Sequence, residues 1–226
     1  MTAPQPAQSA PQRIVLEGRY VRLEPLAHKH AADLFEVSTM PGGVERYRWL
    51  FSHAPGSLVE MEARIALAET ESDPLYFAVV DQASGKALGQ QGWMRIRPEH
   101  GSVEIGGIYW GLPMARTPLA TEALFLFARH AFDDLGYRRF EWKCNDRNEP
   151  SKAAATRFGF RYEGLFRQDM IIKGVSRDTA WFSIIDAEWP ALRAEYERWL
   201  SPDNFGPDGM QKSKLACLNP KNAQIR

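Results

Sequence analysis

The sequence predicts a mixed α/β fold, in which a sheet is flanked by helices within one domain. Three apolar segments between residues 75 and 110 are separated by short turn signals, a pattern typical of an antiparallel meander. From residue 103 onward, predicted strands alternate with predicted helices. A meander followed by strand–helix–strand units indicates a mixed sheet with helices packed on it. The length of 226 residues suffices for one such domain with a substantial core.

The chain before the meander is predicted to form a strand region and two helices. Alternating apolar residues predict strand over 14–25, and apolar residues at helical spacing predict a helix over 28–37. Residues 57–71 show a clear amphipathic pattern, which predicts a helix with one buried face. The predicted buried stripe consists of Leu58, Met61, Ile65 and Ala68.

The remaining strands and helices are predicted from the spacing of apolar residues and from the positions of turn residues. The predicted strands cover residues 75–80, 87–96, 103–110, 138–144, 160–172 and 179–185. The predicted helices cover residues 119–135, 148–158 and 187–200. Gly136 and Gly159 stand where the C-terminal caps of the first two of these helices belong.

Composition narrows the classes of function. Lys plus Arg and Asp plus Glu number 28 each, so the chain has no net charge and no electrostatic reason to bind nucleic acid. Cys144 and Cys217 lie far apart, without zinc-ligand or redox spacing, and the five histidines show no convincing metal-binding spacing. We therefore expect free thiols in a reducing compartment, no bound metal and no nucleic-acid partner.

The chain divides into three predicted regions. Residues 1–12 are rich in Ala, Pro, Gln and Ser and are predicted to be disordered, whereas residues 13–200 carry the predicted domain. Residues 201–226 form a polar, loop-like tail, which is either flexible or packed on a neighbour. No apolar run approaches the length of a membrane span, so we expect no membrane association and a cytoplasmic location.

The turn before the helix predicted over 119–135 carries a candidate ligand site. The apolar strand that ends at Trp110 leads into a helix that opens with Thr117, a good N-cap, and Pro118, a good first helical residue. Unpaired N–H groups at such an opening can bind a phosphate-bearing ligand. Any strand-to-helix turn has free N–H groups, so the segment alone only suggests a phosphate site.

Six short motifs follow one another along residues 13–199. They are Leu16-Glu17-Gly18-Arg19 before Val21–Leu26, Phe77–Asp81 with Gly85 and Leu88-Gly89, Glu104-Ile105-Gly106, Ala120–Ala123, Asn148–Ser151, and Phe158-Gly159-Phe160 with Glu163-Gly164. Together, their order and spacing resemble the GNAT superfamily of acyl-CoA-dependent N-acyltransferases. They look most similar to its branch of RimJ/RimL-type ribosomal-protein N-terminal acetyltransferases. The resemblance implies a single-domain GNAT fold, whose mostly antiparallel mixed sheet contains a splay.

The main departure from this family lies in the loop expected to bind pyrophosphate. The family pattern is Arg or Gln, two residues, Gly, one residue, then Gly or Ala. Here Ala115 stands at the Arg/Gln position and Pro118 at the first Gly, so only Ala120 matches. Proline has no N–H to donate to a phosphate. Because Arg116 could supply a cation instead, we expect a modified CoA site rather than a lost one.

The resemblance implies transfer of an acetyl group from acetyl-CoA, as co-substrate, to a primary amine. The amine would belong to a protein N-terminus or to a small molecule, and the enzyme would be a monomer or a homodimer. Direct attack within a ternary complex needs no covalent nucleophile, since proximity supplies much of the rate. The residues expected to bind CoA are Ile108, Tyr109, Trp110, Arg116, Thr117, Leu119, Ala120, Thr121, Asn148 and Ser151.

Ser151 is the candidate for the proton donor to the departing thiolate, or for a group that orients water near the sulfur, because it matches the serine of the family's Asn-x-x-Ser pattern. The alternative is that Ser151 only satisfies backbone groups at the start of its helix. Asn148 is interpreted as the N-cap of that helix, with a secondary contact to CoA.

Two carboxylates are candidates for the base that accepts the amine proton. Glu104 matches the Glu-Ile-Gly pattern of similar enzymes, and its alternative is an exposed strand carboxylate. Asp169 lies in a late strand without a motif, and water could replace either group. Glu122, just inside the helix, is interpreted as structural. A second class of function remains open, a CoA-binding or protein-interaction module without turnover.

Overall fold

The computed structural model describes residues 5–217 of the chain. This part separates into two compact units. The N-terminal unit comprises residues 11–96 and 105–127, and the C-terminal unit comprises residues 5–10, 97–104 and 128–217. Each unit contains strands with helices packed on them, and each has its own set of buried aromatic side chains.

The strands of the N-terminal unit pair with their neighbours in sequence. They are β1 (Leu16–Glu17), β2 (Val21–Pro25), β3 (Leu75–Asp81), β4 (Ala87–Arg97) and the greater part of β5 (Ser102–Trp110). The pairs β1–β2, β2–β3 and β3–β4 are antiparallel, which confirms the first hairpin of the predicted meander, β3–β4. Strand β5 begins in the C-terminal unit and ends in the N-terminal unit.

Three helices accompany these strands: α1 (Ala31–Thr39), α2 (Leu58–Thr70) and α3 (Leu119–Arg129). Ser57 caps α2, because its side chain accepts a hydrogen bond of 3.2 Å from the backbone N–H of Glu60. Met61, Ile65 and Ala68 are buried as predicted. Leu58 is 37% exposed, so its place in the predicted stripe was wrong. It is the first residue of α2, ahead of the turns that pack on the sheet.

The core of the N-terminal unit centres on α3. The ring of Phe127 stacks on Trp93 of β4 at 3.8 Å and meets Phe77 of β3 edge-on at 5.4 Å. After Arg129 the helix continues as one wider π-helical turn over His130–Asp134. Gly136, with a φ of +70°, then ends it at the predicted position.

The C-terminal unit contains β6 (Arg139–Asn145), α4 (Glu149–Arg157), β7 (Arg161–Ile172), β8 (Val175–Ile185) and α5 (Trp189–Leu200). Strand β8 pairs antiparallel with both β6 and β7. It begins at Val175 rather than at the predicted Thr179. The turn at Lys173 and Gly174, both with positive φ, is tight enough for Ile172 to pair with Val175.

Aromatic side chains fill the core of the C-terminal unit. Phe140 lies 5.5 Å from Phe160, and Trp142 lies 5.6 Å from the same ring. Phe132 stacks on Trp189 of α5 at 5.1 Å. Residues at even positions of β6 therefore face this core, and those at odd positions face the other side of the sheet.

The terminal segments contact the C-terminal unit where the structure describes them. In the segment predicted to be disordered, Ala7 is buried and its N–H donates to Pro98 O at 2.9 Å. In the predicted tail, the side chain of Asn204 accepts hydrogen bonds from the backbone and the hydroxyl of Ser213. Cys217 is buried. Residues 1–4 and 218–226 of the two predicted segments lie outside the described residues.

Among residues 5–217, the structure contains no helix both long and apolar enough to cross a membrane.

Candidate active site

The opening of α3 has the predicted capping arrangement. The hydroxyl oxygen of Thr117 accepts a hydrogen bond of 3.3 Å from the N–H of Leu119, and its hydrogen is donated to Met114 O at 2.8 Å. The N–H of Glu122 donates to Pro118 O at 2.9 Å, at the start of the helix. The N–H groups of Ala120 and Thr121 lie in the same first turn.

Arg116 adopts a left-handed backbone conformation, with a φ of +61°. A side chain other than glycine rarely takes this conformation, which costs about 1 kcal/mol or more. The strain lies in the loop where the family pattern expects glycine to bind pyrophosphate. Arg116 lies directly before Thr117, at the opening of α3.

The end of β5 is fixed to the N-terminal unit through both side chains and backbone. Tyr109 is buried, donates its hydroxyl to Val37 O at 2.8 Å and packs on the ring of Tyr47. Burial raises the pKa of Tyr109 to about 12, so its hydroxyl remains a donor at neutral pH. The guanidinium of Arg46 donates to Trp110 O at 2.8 Å. Ile108, on the same strand, is only half-buried.

Glu122 has the structural role expected for it. Its buried carboxylate accepts hydrogen bonds from three consecutive backbone N–H groups, those of Arg19, Tyr20 and Val21, at 2.8, 2.6 and 2.7 Å. These contacts hold the start of β2 on the first turn of α3, and so they fix the position of the helix opening.

Ser151 lies in the first turn of α4, and the indole of Trp142 orients its hydroxyl. The Trp142 Nε1–H donates a hydrogen bond of 3.0 Å to Ser151 Oγ. Asn148 caps the helix as predicted, because its side-chain oxygen accepts from the Ser151 N–H at 3.2 Å. The Ser151 side chain is thus not used to cap its own helix, which was the alternative interpretation.

Cys144 is the second neighbour of the Ser151 hydroxyl. Burial raises the pKa of the Cys144 thiol, and a hydrogen bond with Ser151 acts in the opposite direction. Cys144 is therefore a protonated thiol at neutral pH. A serine hydroxyl can accept two hydrogen bonds and donate one. With the indole N–H as a donor to Oγ, the Ser151 hydroxyl keeps its own hydrogen for donation, either to the Cys144 sulfur or to a bound group.

Glu104 is a buried carboxylate rather than the exposed one of the alternative interpretation. Its Oε2 lies 2.8 Å from Nζ of Lys143, and the same Nζ lies 2.8 Å from Oε2 of Glu141. All three side chains are at most 5% exposed. The ammonium also lies over the ring of Trp181, 3.7 Å from its centre. One buried cation thus joins two buried carboxylates, so each of these buried charges has an ionic partner.

Asp169 has a different environment. It is exposed, in the part of β7 where the pairing with β8 shifts between Phe166 and Met170. The adjacent Gln168 has a φ of +51°, and its N–H bonds to the Asp178 carboxylate at 2.7 Å. Asp169 therefore lies on a bulge of the outer strand.

The structure brings some predicted residues together and separates others. Ser151 and Asn148 are in direct contact, whereas Trp142 and Lys143 place Ser151 and Glu104 on opposite faces of β6. The predicted CoA residues from Ile108 to Thr121 belong to the N-terminal unit, and Glu104, Asn148, Ser151 and Asp169 belong to the C-terminal unit.

Three side chains that contact the candidate residues or their partners were not predicted from the sequence: Glu141, Trp142 and Lys143. Their signal was the alternation over residues 139–144, where charged side chains at odd positions follow one face of β6. The pattern could have indicated a polar face. It could not identify Glu104 as the partner of Lys143, because that contact joins two strands.

Within the described part of the chain, no three His, Cys, Asp or Glu side chains are grouped so that they could hold a metal ion. Both cysteines are free thiols.

Comparisons with known proteins agree with this architecture. The family model described as acetyltransferase (GNAT) domain matches residues 21–161. The crystal structure of a GCN5-related N-acetyltransferase from Brucella melitensis is 52% identical, with a TM-score of 0.91 over 93% of this chain and 96% of that one. A probable acetyltransferase of the GNAT family from Chromobacterium violaceum is 37% identical, with a TM-score of 0.77 over 84% and 95% of the two chains.

Among curated proteins, the N-acetyltransferase p20 of Bacillus licheniformis is 28% identical over 117 residues. That alignment covers 50% of this chain and 63% of the relative. The predicted fold class is confirmed by these matches. The chain belongs to the acetyltransferase (GNAT) domain family, whose members are acyl-CoA-dependent acetyltransferases.

Proposed function

We propose that this protein transfers the acetyl group of acetyl-CoA to a primary amine by direct attack within a ternary complex. Family membership supports acetyl-CoA as the co-substrate. The observation that carries the mechanism is the hydrogen bond from Trp142 to Ser151, since it leaves the serine hydrogen available for a departing group.

In this proposal the N-terminal unit supplies the groups that bind CoA. The backbone of Ile108, Tyr109 and Trp110 pairs with the pantetheine arm in the manner of a neighbouring strand. At the helix opening, the first-turn N–H groups and the Arg116 guanidinium bind the pyrophosphate. The other residues assigned to the phosphates are Thr117, Leu119, Ala120 and Thr121.

The residues at the opening of α3 fit a pyrophosphate, although the usual glycine is replaced. Pro118 is at the first position of the helix, where a missing N–H costs no helical hydrogen bond. The hydrogen bond from the Leu119 N–H to the Thr117 side-chain oxygen is long, at 3.3 Å, so a phosphate oxygen can displace that acceptor. Three backbone bonds to Glu122 keep the opening rigid, which lowers the entropy lost on binding.

Ser151 is proposed to protonate the thiolate of CoA. The nitrogen lone pair of the amine forms the bond to the carbonyl carbon, and the carbon–sulfur bond breaks with its electron pair on sulfur. The serine O–H then donates its proton to that sulfur, and solvent restores it. Because the Trp142 indole donates to Oγ, the orientation of the hydroxyl is preorganised for donation. Asn148, the cap of the same helix, is proposed to make a secondary contact to CoA.

Glu104 is proposed to accept the proton that the amine loses. Its carboxylate is buried, and the Lys143 ammonium holds it in one orientation. Low exposure strengthens the electrostatic interaction between this carboxylate and an approaching ammonium group. Asp169 is the alternative base, but it is exposed on a strand bulge and less well fixed. A water molecule is the third possibility for this step.

Two classes of acceptor agree with the proposal. The sequence resemblance to the RimJ/RimL branch favours the α-amine of a protein N-terminus, and a small-molecule amine is the alternative. The GNAT fold accommodates both classes, so the acceptor must be recognised by side chains particular to this chain.

The proposal is tested by release of free thiol from acetyl-CoA in the presence of a panel of amines. The panel contains peptides with free and with blocked N-termini, and small primary amines. Thiol release that requires a free amine supports the transferase. Saturable CoA binding without release for any amine contradicts it, and supports instead a CoA-binding module in which the altered loop is retained without turnover.

A further inference from the structure

The C-terminal unit contains an open cleft with a volume of about 460 Å³, beside the first residues of β6. The loop between β4 and β5 forms one wall, and the loop before β6 forms another. Most of its lining is cationic or polar: Arg97, His100, Ser102, Arg138, Arg139 and Glu141.

This cleft opens on the same face of the sheet as Glu104. Ser102 in its lining lies two residues before Glu104 on β5, so both side chains point to one face, about 7 Å apart along the strand. On β6, Arg139 and Glu141 alternate in the same way with Lys143. The Lys143 ammonium contacts both Glu141 in the cleft and Glu104 beside it. Ion pairs through Glu141 and Lys143 therefore connect the lining of the cleft to the proposed base.

Two charged groups of the cleft, Arg139 and Glu141, are already neutralised by ion pairs. Arg139 donates two hydrogen bonds to Glu163, at 2.7 and 2.6 Å, and its Nε donates to Glu141 at 2.8 Å. Glu141 also accepts a hydrogen bond of 3.1 Å from Arg97, and it forms an ion pair with Lys143. Burial alone would raise the pKa of Glu141, but the hydrogen bonds from Arg139 and Lys143 lower it below its ordinary value. Glu141 therefore stays ionised among three cations.

Two arginines retain hydrogen-bonding capacity towards the cleft. Arg97 uses one terminal nitrogen for Glu141, and its buried Nε has no hydrogen-bond partner within residues 5–217. The guanidinium of Arg138 is exposed, and the structure gives it no hydrogen bond or ion pair in the same range. Its backbone is anchored, since the N–H groups of Arg138 and Arg139 both donate to Gly101 O. The φ of +62° at Gly101 brings that carbonyl into position.

One further carboxylate, Asp186, lines the cleft. Its Oδ1 accepts the N–H of Ala187 at 2.8 Å, so part of its charge is satisfied at the turn before α5. Glu141 is bound by three cations and one oxygen of Asp186 accepts a backbone N–H, whereas the cationic groups Arg97 and Arg138 retain unused donors. A cleft of this kind is complementary to an anion with two or three acceptor oxygens.

We propose that this cleft binds an anionic group of the acceptor, a carboxylate or a phosphate, while the amine of the same molecule reaches Glu104. The inference rests on the proposed acetyl transfer, and it specifies the acceptor class as an anionic amine. Ser102 in the lining of the cleft and Glu104 lie about 7 Å apart along β5, so the amine and the anion are expected to be joined by a short chain. An amine and an anion joined by three or four bonds fit that span.

The first experiment compares matched acceptors that differ in one charge. The pairs are 4-aminobutyrate with 4-aminobutyramide, and O-phosphoethanolamine with ethanolamine, each assayed by thiol release. We expect a KM about ten-fold lower for the anionic member of at least one pair, with a similar kcat. The pair that shows the effect identifies the anion as a carboxylate or a phosphate. Equal KM values within both pairs would overturn the inference.

The second experiment changes the cleft. Arg138→Glu is expected to remove the preference for the anionic acceptor by raising the KM of that acceptor. Arg138→Lys is expected to restore part of the preference. Lys214→Glu, the same change of net charge in the C-terminal segment, is the matched control and should keep the preference. A preference that survives Arg138→Glu would contradict the assignment.

A third measurement does not depend on turnover. Calorimetric titration of the CoA-saturated protein with glutarate, and separately with inorganic phosphate, should detect binding that Arg138→Glu abolishes. Binding unaffected by that substitution would count against the cleft. Failure of the proposed acetyl transfer is distinguishable, because the wild-type protein would then release no thiol with any of the four amines.

Discussion

The indole N–H of Trp142 donates a hydrogen bond of 3.0 Å to Oγ of Ser151, across the gap between β6 and the first turn of α4. The contact fixes the rotamer of the serine and occupies one of its acceptor positions. A serine that only capped its helix would direct its oxygen at backbone N–H groups, a task that Asn148 performs here. The pair thus connects a buried aromatic core to a polar group suited to proton transfer.

Replacement of Ser151 by alanine should lower kcat about 100-fold and leave CoA affinity nearly unchanged, because the hydroxyl acts on the leaving thiolate and not on ground-state binding. Steady-state kinetics and a CoA titration of the same variant check this. Ser57→Ala is the matched control, since it removes a serine that caps α2 and should reduce stability without changing kcat. A normal rate in Ser151→Ala would remove the residue from the mechanism.

Glu104→Gln should lower kcat about 100-fold or more, whereas Asp169→Asn should leave it within about two-fold. The glutamine keeps the shape of the side chain, and Lys143 keeps Glu141 as an ionic partner, so the fold is retained. Circular dichroism confirms folding, and initial rates with a saturating amine measure the effect. The reverse ranking would transfer the role of base to Asp169. Normal rates in both variants would indicate water.

Arg116→Gly should weaken CoA binding about ten-fold, because it removes a cation proposed to contact the pyrophosphate. Glycine adopts the observed φ of +61° without strain, so the free energy of unfolding should change by less than about 1 kcal/mol. Arg116→Lys keeps the charge and is the control. Calorimetry and urea unfolding separate the two effects. An unchanged affinity in Arg116→Gly would exclude the phosphate contact.

Glu122→Gln should lower the free energy of unfolding by about 3 kcal/mol, because the carboxylate accepts three backbone N–H groups in a buried position. An amide has one fewer acceptor atom, and its NH₂ group would face a donor. Urea denaturation measures the change, and Glu45→Gln at an exposed position is the control. A loss no greater than that of the control would show that the three bonds contribute little.

The sequence was sufficient to predict most elements of this fold, since period and turn residues are local signals. The strands and helices from β2 to α5 occur near their predicted positions, and Gly136 and Gly159 have the positive φ values expected of helix caps. Errors arose where tertiary context decides. The exposure of Leu58 depends on which turn of α2 meets the sheet, and the start of β8 depends on the tight turn at Gly174.

The candidate site was predictable only in part, for a related reason. Ser151 and Glu104 were found because they stand in motifs that resemble the family. Trp142 and Lys143 determine what those two side chains can do, and their contacts join residues 9 and 39 positions apart. Such contacts follow from strand register and helix packing, which composition and spacing do not contain.

Titration of the purified protein with coenzyme A by isothermal calorimetry tests the central claim most directly, because every proposed role depends on a bound thioester donor. The account predicts saturable binding with one site per chain, weakened in Arg116→Gly and preserved in Ser151→Ala. Absence of detectable binding by the wild-type protein would contradict the account. The strand order and the buried ion pairs would then need another explanation than acetyl transfer.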